Sequence, residues 1–146
     1  MNINVENRKA KFDYEIIDTY ISGIVLKGSE VKSLRDGSGS IVEAFCQFIG
    51  NELFIINSYI PVKSTFTKFA THQERAERKL LLNRSELTKL QKGVEQKGMT
   101  IVPLKLFTND KGMVKVKIGL CRGKHNYDKR ETIKKRDIER SIGTNY

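Results

Sequence analysis

Along this chain the hydrophobic positions follow two different periods. In DYEIIDTYIS, Tyr14, Ile17 and Ile21 fall at i, i+3 and i+7, which predicts a short amphipathic helix over 13–22 that Gly23 ends. From Ile24 the period shortens to two. IVLKGSEVKSLR sets Ile24, Leu26 and then Val31 on one side, with a break in phase at Gly28. This predicts a strand over 24–35 with a bulge or sharp bend at the glycine. DGSGS (36–40) is a turn by its glycine and serine content. The β-rich runs 41–49 and 52–60 flank Gly50-Asn51, a strong hairpin signal, and Pro61 stops the second run. Residues 62–77 have no clean period and are expected to form a long loop. RKLLL (78–82) is a short buried strand. Asn83 and Glu86 stand three apart before Leu87, Leu90 and Val94, capping-box chemistry opening a helix that should close at Gly98. Two further strands, 99–108 and 113–121, are joined by Asn109 to Gly112. In the second, Val114, Val116, Ile118 and Leu120 form one face, and Lys115 and Lys117 lie on the other.

Six strands with two or three short helices make the chain mainly β. Closely spaced antiparallel hairpins and a glycine bend point to an OB-fold-like six-stranded antiparallel barrel, in which pairing removes exposed edges. This domain spans 1–123. Residues 124–146 differ in character: seven basic and four acidic groups accompany only Ile133, Ile138 and Ile142 as aliphatics. On a helical wheel Ile133 falls about 140° from Ile138, so no apolar stripe docks this segment on the barrel. Glu131 precedes Lys135 by four and Asp137 precedes Arg140 by three, spacing that supports a helix. The expectation is a basic tail, disordered when free and helical on a charged partner.

Charge adds a partner class. The chain has 146 residues and a formal charge of +10. Residues 1–60 hold 6 basic and 8 acidic side chains, while 61–146 hold 21 and 9. Such asymmetry suits a polyanion met by the C-terminal half, although a solvated surface gives the same count. Arg78, Lys79, Lys105, Lys115, Lys117, Arg122 and Lys124 are expected on or beside strands of one sheet, as a basic surface. Tyr127 among Lys124, Lys129 and Arg130 offers a stacking plane beside phosphate-binding charge. No apolar run reaches 18 residues and the N-terminus is polar, so neither a spanning helix nor a secretory signal is expected. Cys46 and Cys121 have no paired spacing, which fits a reducing cytoplasm.

Catalytic chemistry finds little footing. His72 and His125 lie in segments without a nucleophile signature, and the acidic residues lack metal-ligand spacing, so no catalytic residue, metal or cofactor is expected. Cys46 sits among Ala44, Phe45 and Phe48 as a small core residue. Cys121, beside Arg122 and Lys124, has an electropositive setting of the kind that lowers a thiol pKa, but packing at a strand end is the preferred reading. DGSGS has no following Lys-Ser/Thr and is a plain turn. Glu30, expected inside a strand, has two readings: an ion pair with a neighbouring cation, or an acceptor for base amino groups or ribose hydroxyls.

The strings NRKAKFDYEI, GIVLKGSEVKSLR, RKLLL, IVPLKLF and RGKHNYDKRETIKKR resemble the SsrA-binding protein (SmpB) family in order and spacing from Asn7 to Arg136. The resemblance implies an OB-fold barrel that binds the tRNA-like domain of transfer-messenger RNA and enters stalled ribosomes for trans-translation, without enzymatic activity. It implies an RNA face including Glu30, Lys32, Arg35, Asn57, Lys105, Arg122 and Lys124. It also implies a ribosome-binding tail, in which Tyr127, Asp128, Lys129, Arg130, Lys134, Lys135 and Arg136 meet the small-subunit decoding centre and the mRNA channel. A cytoplasmic monomer without membrane contact is expected. Departures from the family pattern occur at Glu74 and Ala76, with Arg75 shifted, and at Asn83. A general RNA-binding or ribosomal OB-fold protein is the alternative reading.

Overall fold

The computed structural model describes residues 2–62 and 71–123. Its elements in chain order are β1 (Asn4–Glu6), α1 (Ala10–Asp13), β2 (Tyr14–Ile24), α2 (Gly28–Arg35), β3 (Phe45–Ile49), β4 (Glu52–Ile56), β5 (Arg78–Leu81), α3 (Arg84–Val94), β6 (Met99–Thr108) and β7 (Val114–Gly123). Among the described residues there are seven strands, all paired antiparallel, in the order β1-β6-β3-β4-β5-β2-β7, and β7 also pairs with β6. That last pairing closes a ring of six strands, β2 to β7. The three-residue β1 lies outside the ring, along residues 105–107 of β6, beyond the point at Ile101 where β3 pairs. The OB-fold-like barrel expected from the sequence is therefore present, with β1 added to it.

The predicted helix over 13–22 is instead the long strand β2. Its β-branched and aromatic residues favour a pleated surface, and a bulge explains the misleading period. Ile16 pairs with Cys121 and Asp18 with Leu120, so Ile17 is an extra residue. Before the bulge, Tyr14 and Ile16 pack outside the barrel with Ala10, Val102 and Cys121. After it, Tyr20 and Ile24 pack inside. An extra residue in a strand thus imitates helical spacing. A second bulge lies at Leu104 on β6, between the pairs Pro103–Ile118 and Lys105–Lys117. Together the two bulges flank β7 and increase the local twist that closing a small ring requires.

The predicted strand over 24–35 ends at Ile24, and residues from Gly28 form α2. Glu30 Oε1 accepts the Lys27 N–H at 2.7 Å, satisfying a donor at the helix start. The inward face of α2 is largely polar, with Ser29, Glu30 and Ser33 buried beside Leu34. A hydrophobic period cannot reveal such a helix. The Gly50-Asn51 hairpin, the turn at 36–40 and the capped helix stand where expected, with the strands of the hairpin trimmed to 45–49 and 52–56. Asn83 Oδ1 accepts the Glu86 N–H at 2.8 Å and Glu86 Oε1 accepts the Asn83 N–H at 3.1 Å, completing the capping box. α3 ends at Val94, before Gly98, which takes a positive φ of 80° in the following turn.

The core runs through Leu53, Ile55, Leu80, Ile101, Val116 and Ile118, with Leu90 of α3 closing one side. α3 approaches β7 closely at Gly93, where a Cβ would stand 2.5 Å from Leu120 Cδ2. The first part of the predicted loop 62–77 and the whole tail fall on or next to undescribed residues. Lys124, Tyr127, Asp128, Lys129, Arg130, Lys134, Lys135 and Arg136 lie outside the described residues.

Candidate nucleic-acid interface

The alternation of β7 puts Val116 and Ile118 in the core and turns Lys115 and Lys117 outward. Register then assembles their neighbours. Lys105 of β6 stands opposite Lys117, Phe107 opposite Lys115, and Ile21 of β2 opposite Lys117 on the other side. Gly23 pairs with both Lys115 and Leu81, which brings β5 onto the same outer surface. Ile21 and Leu81 are each 50% exposed. A Cβ at Gly23 would come 3.2 Å from that of Leu81, so the glycine leaves room for the leucine to lie across the strand. The result is an apolar strip within a lysine-rich surface. It offers phosphate-binding charge beside surface on which a ribose or base edge can rest.

Other expected contacts are arranged differently. Arg122 shares the parity of the core-facing residues of β7 and emerges at the barrel end, 3.8 Å from Glu15 of β2, its register partner. Lys79 points outward but forms an ion pair with Glu52. Lys32 and Arg35 are exposed on α2, an element outside the strand ladder that carries Lys105. Asn57 follows β4 at a positive φ of 64°. Its amide donates to the Glu43 carbonyl at 3.3 Å, and its Oδ1 accepts from Arg75 Nη1 at 3.1 Å. Arg75 in turn lies over the Tyr59 ring at 5.0 Å. Asn57 thus ties the residue after β4 to Glu43 and to Arg75.

Glu30 and Arg78 are removed from the surface, each 3% exposed. They form a direct ion pair through Arg78 Nε and Glu30 Oε2. Arg78 Nη1 donates to the Ser58 carbonyl at 2.9 Å and to Ser58 Oγ at 2.8 Å. Its Nη2 donates to the carbonyls of Gln73 at 3.1 Å and Glu74 at 3.2 Å. A guanidinium has five N–H groups, and all five have acceptors. Beside this pair, Ser29 Oγ lies 2.8 Å from His72 Nδ1, and His72 Nε2 lies 2.9 Å from the Ile60 carbonyl. The carbonyl can only accept, so Nε2 donates to it, and in the neutral ring Nδ1 then accepts from the serine. Ser33 Oγ adds a bond to the Pro61 carbonyl at 2.6 Å. This network fastens α2 to the strand ends. Of the two readings of Glu30, the geometry is that of the ion pair, with Arg78 as the cation. Arg78 itself leaves the expected basic surface.

The cysteines are buried free thiols. Burial pushes the Cys121 thiol up to about 11 and that of Cys46 higher still. Of the two readings of Cys121, packing at a strand end is the one the structure bears out: the side chain is buried against Ala10 and Val102 and Arg122 projects elsewhere. Among the described residues no group of three or more His, Cys, Asp or Glu side chains is placed to hold a metal, and no helix is long and apolar enough to cross a membrane.

Ile21, Leu81 and Thr19 were not singled out from the sequence as part of this surface. The available signal was the β-branched run 16–21, hidden by its apparent helical spacing.

Comparison with known proteins identifies the family. A family model described as SmpB protein matches residues 4–146. The SsrA-binding protein of Flavobacterium johnsoniae is 57% identical over 141 residues, covering 97% of this chain and 93% of its own. That of Agrobacterium fabrum is 49% identical over 138 residues, covering 94% and 86%. A solved chain described as "tmRNA-SmpB: a journey to the center of the bacterial ribosome" superposes with a TM-score of 0.70 at 46% identity, over 95% of this chain and 96% of that one. With the fold and nearly the full length in agreement, this chain belongs to the SmpB protein family.

Proposed function

We propose that this chain is a non-enzymatic cytoplasmic adaptor that binds the tRNA-like domain of transfer-messenger RNA and delivers it to stalled ribosomes for trans-translation. The observation that carries this reading is family membership across residues 4–146. The outward lysines 105, 115 and 117, set beside Ile21 and Leu81, suit it: they supply charge for phosphate and apolar contact on one surface. Lys32 and Arg35 on α2 and Arg122 at the barrel end add separate cationic points. Glu30 and Asn57 contribute by holding the loops in place.

In this reading domain 1–123 carries RNA and residues 124–146 act on the ribosome. Lys134, Lys135 and Arg136 suit an RNA-lined mRNA channel, while Tyr127, Asp128, Lys129 and Arg130 report to the decoding centre that the channel is empty. Lys124 counts with the RNA-binding residues. A titration against transfer-messenger RNA and ordinary tRNA at matched salt tests the first half, and equal affinity overturns it in favour of a general RNA-binding protein. Truncation after Gly123 tests the second. RNA binding should persist while tagging on stalled ribosomes is lost, and retained tagging refutes the tail mechanism.

A further inference from the structure

Beside the lysine-rich surface the sheet is not flat. A cleft of about 440 Å³ opens between the N-terminal segment and the outer face of β6, β7 and β2. That size falls in the range of about 300–1,000 Å³ typical of small-ligand sites. Its floor is apolar. At Gly119 a Cβ would meet Leu104 Cδ1 at 3.0 Å and Ile16 Cγ2 at 3.5 Å, so the missing side chain lets Leu104 and Ile16 close over the strand. Thr19, the cross-strand partner of Gly119, is exposed at the edge. The rim carries four cations, Arg8 and Lys11 on the N-terminal side and Lys105 and Lys117 on the sheet, against one acid, Glu6, the cross-strand partner of Lys105 on β1.

The two sheet lysines stand directly opposite each other in the ladder. Like charges in that position repel and weaken a sheet. Neither has a salt-bridge partner among the described residues, since Arg8 is the cation beside Glu6, at 3.7 Å. An anion between them would convert repulsion into binding. We propose that this cleft receives one unpaired nucleotide of the bound RNA, its phosphate shared by Lys105 and Lys117 and its base and ribose against Leu104, Ile16 and Thr19. A duplex presents its phosphates on a convex surface and leaves such a recessed floor unused. An unstacked nucleotide of a loop can enter it. The inference rests on the RNA-binding reading above and names the part of the RNA that this portion of the surface takes.

The test uses the full chain with an unstructured hexaribonucleotide, a duplex of the same length and adenosine monophosphate, titrated over a range of salt. The hexamer should bind more tightly than either of the others. Lys105→Ala and Lys117→Ala should each weaken hexamer binding by about fivefold. If one phosphate is shared, the double variant should lower the salt slope by about 0.7, the value for one contact on single-stranded RNA. A drop of about 1.4 would mean two separate phosphates and overturn the shared site. Thr19→Phe fills the cleft without removing charge. It should cost about tenfold in hexamer affinity and leave the slope unchanged. Wild-type affinity in Thr19→Phe overturns the proposal, as does duplex binding equal to the hexamer. Adenosine monophosphate binding as tightly as the hexamer would assign the cleft to a free nucleotide instead. Preferential binding of transfer-messenger RNA by the unaltered protein, measured alongside, separates failure of the cleft from failure of the broader reading.

Discussion

Replacing Arg78 with methionine keeps most of the aliphatic stem and removes the guanidinium. Five hydrogen bonds disappear, and the Glu30 carboxylate is left with the Lys27 N–H as its remaining described donor. Breaking a buried pair by removing one partner costs about 3–5 kcal/mol, because the other charge stays buried. The four bonds to Ser58, Gln73 and Glu74 are each worth about 1 kcal/mol net, but their acceptors gain access to water once the loop loosens. A total near 4 kcal/mol is therefore expected, a large part of the roughly 5–15 kcal/mol that stabilises an ordinary domain. For a domain of this size that lowers Tm by about 15 °C, at about 4 °C per kcal/mol. Glu30→Gln should cost about 3 kcal/mol by leaving the guanidinium unpaired. The double variant buries neither charge, so its cost should fall below the sum by about 2 kcal/mol. Urea unfolding followed by circular dichroism, for all four proteins, measures this coupling. Additivity within about 0.5 kcal/mol would refute the claim that the pair is the organising contact. RNA affinity of Glu30→Gln, measured where the variant is fully folded, should stay within about twofold of the parent; a larger loss would make Glu30 a direct RNA contact.

Three other sites give separate tests. Gly93→Ala gains about 1 kcal/mol of helix propensity but forces a methyl against Leu120, an overpacking cost of about 1–3 kcal/mol, so a net loss near 1 kcal/mol is expected in urea melts. Leu120→Val in the same chain should relieve the clash and turn the second change, Gly93→Ala, into a gain of up to about 1 kcal/mol. Cys121 titrates near 11 when folded against an ordinary value of 9.0, so its neutral form stabilises the fold below pH 9 and that contribution is lost as pH rises toward 11. Stability of the parent should fall across that window and fall less steeply in Cys121→Ala, while a thiol reagent at pH 7 should label neither cysteine until the protein unfolds. At Asn57, with φ at 64°, alanine should destabilise by about 1 kcal/mol more than glycine, since only glycine adopts the left-handed region without strain. Equal losses in thermal melts would show that the side-chain bonds to Glu43 and Arg75, not the backbone, set the cost.

What the sequence revealed depended on where the determinant lay. The capping box at Asn83 and Glu86, the Gly50-Asn51 hairpin and the alternation of β7 are local, and each was readable within a few residues. β2 and α2 were exchanged in type because their determinants are distant. β2 hides its period behind a bulge that exists only in pairing with β7. α2 buries serine and glutamate, which look like surface residues until His72, Arg78 and the Pro61 carbonyl come to meet them. The same distinction applies to the interface. Outward Lys115 and Lys117 followed from strand alternation, but Ile21, Leu81 and Thr19 joined them only through register. Arg78 and Glu30, which as charges suggested the surface, were withdrawn from it by each other.

The placement of β7 bears on how this protein is made. Ten residues long and the last described strand, it pairs with β2 on one side and β6 on the other and alone converts the sheet into a ring. A chain interrupted anywhere before Val114 therefore leaves both neighbours as open edges, with Ile16, Ile101 and Leu106 deprived of their cover. Open apolar edges template aggregation. Synthesis of this protein is thus nearly all-or-none: the barrel can close only once its final strand has been translated, and a prematurely ended copy is a sticky sheet fragment.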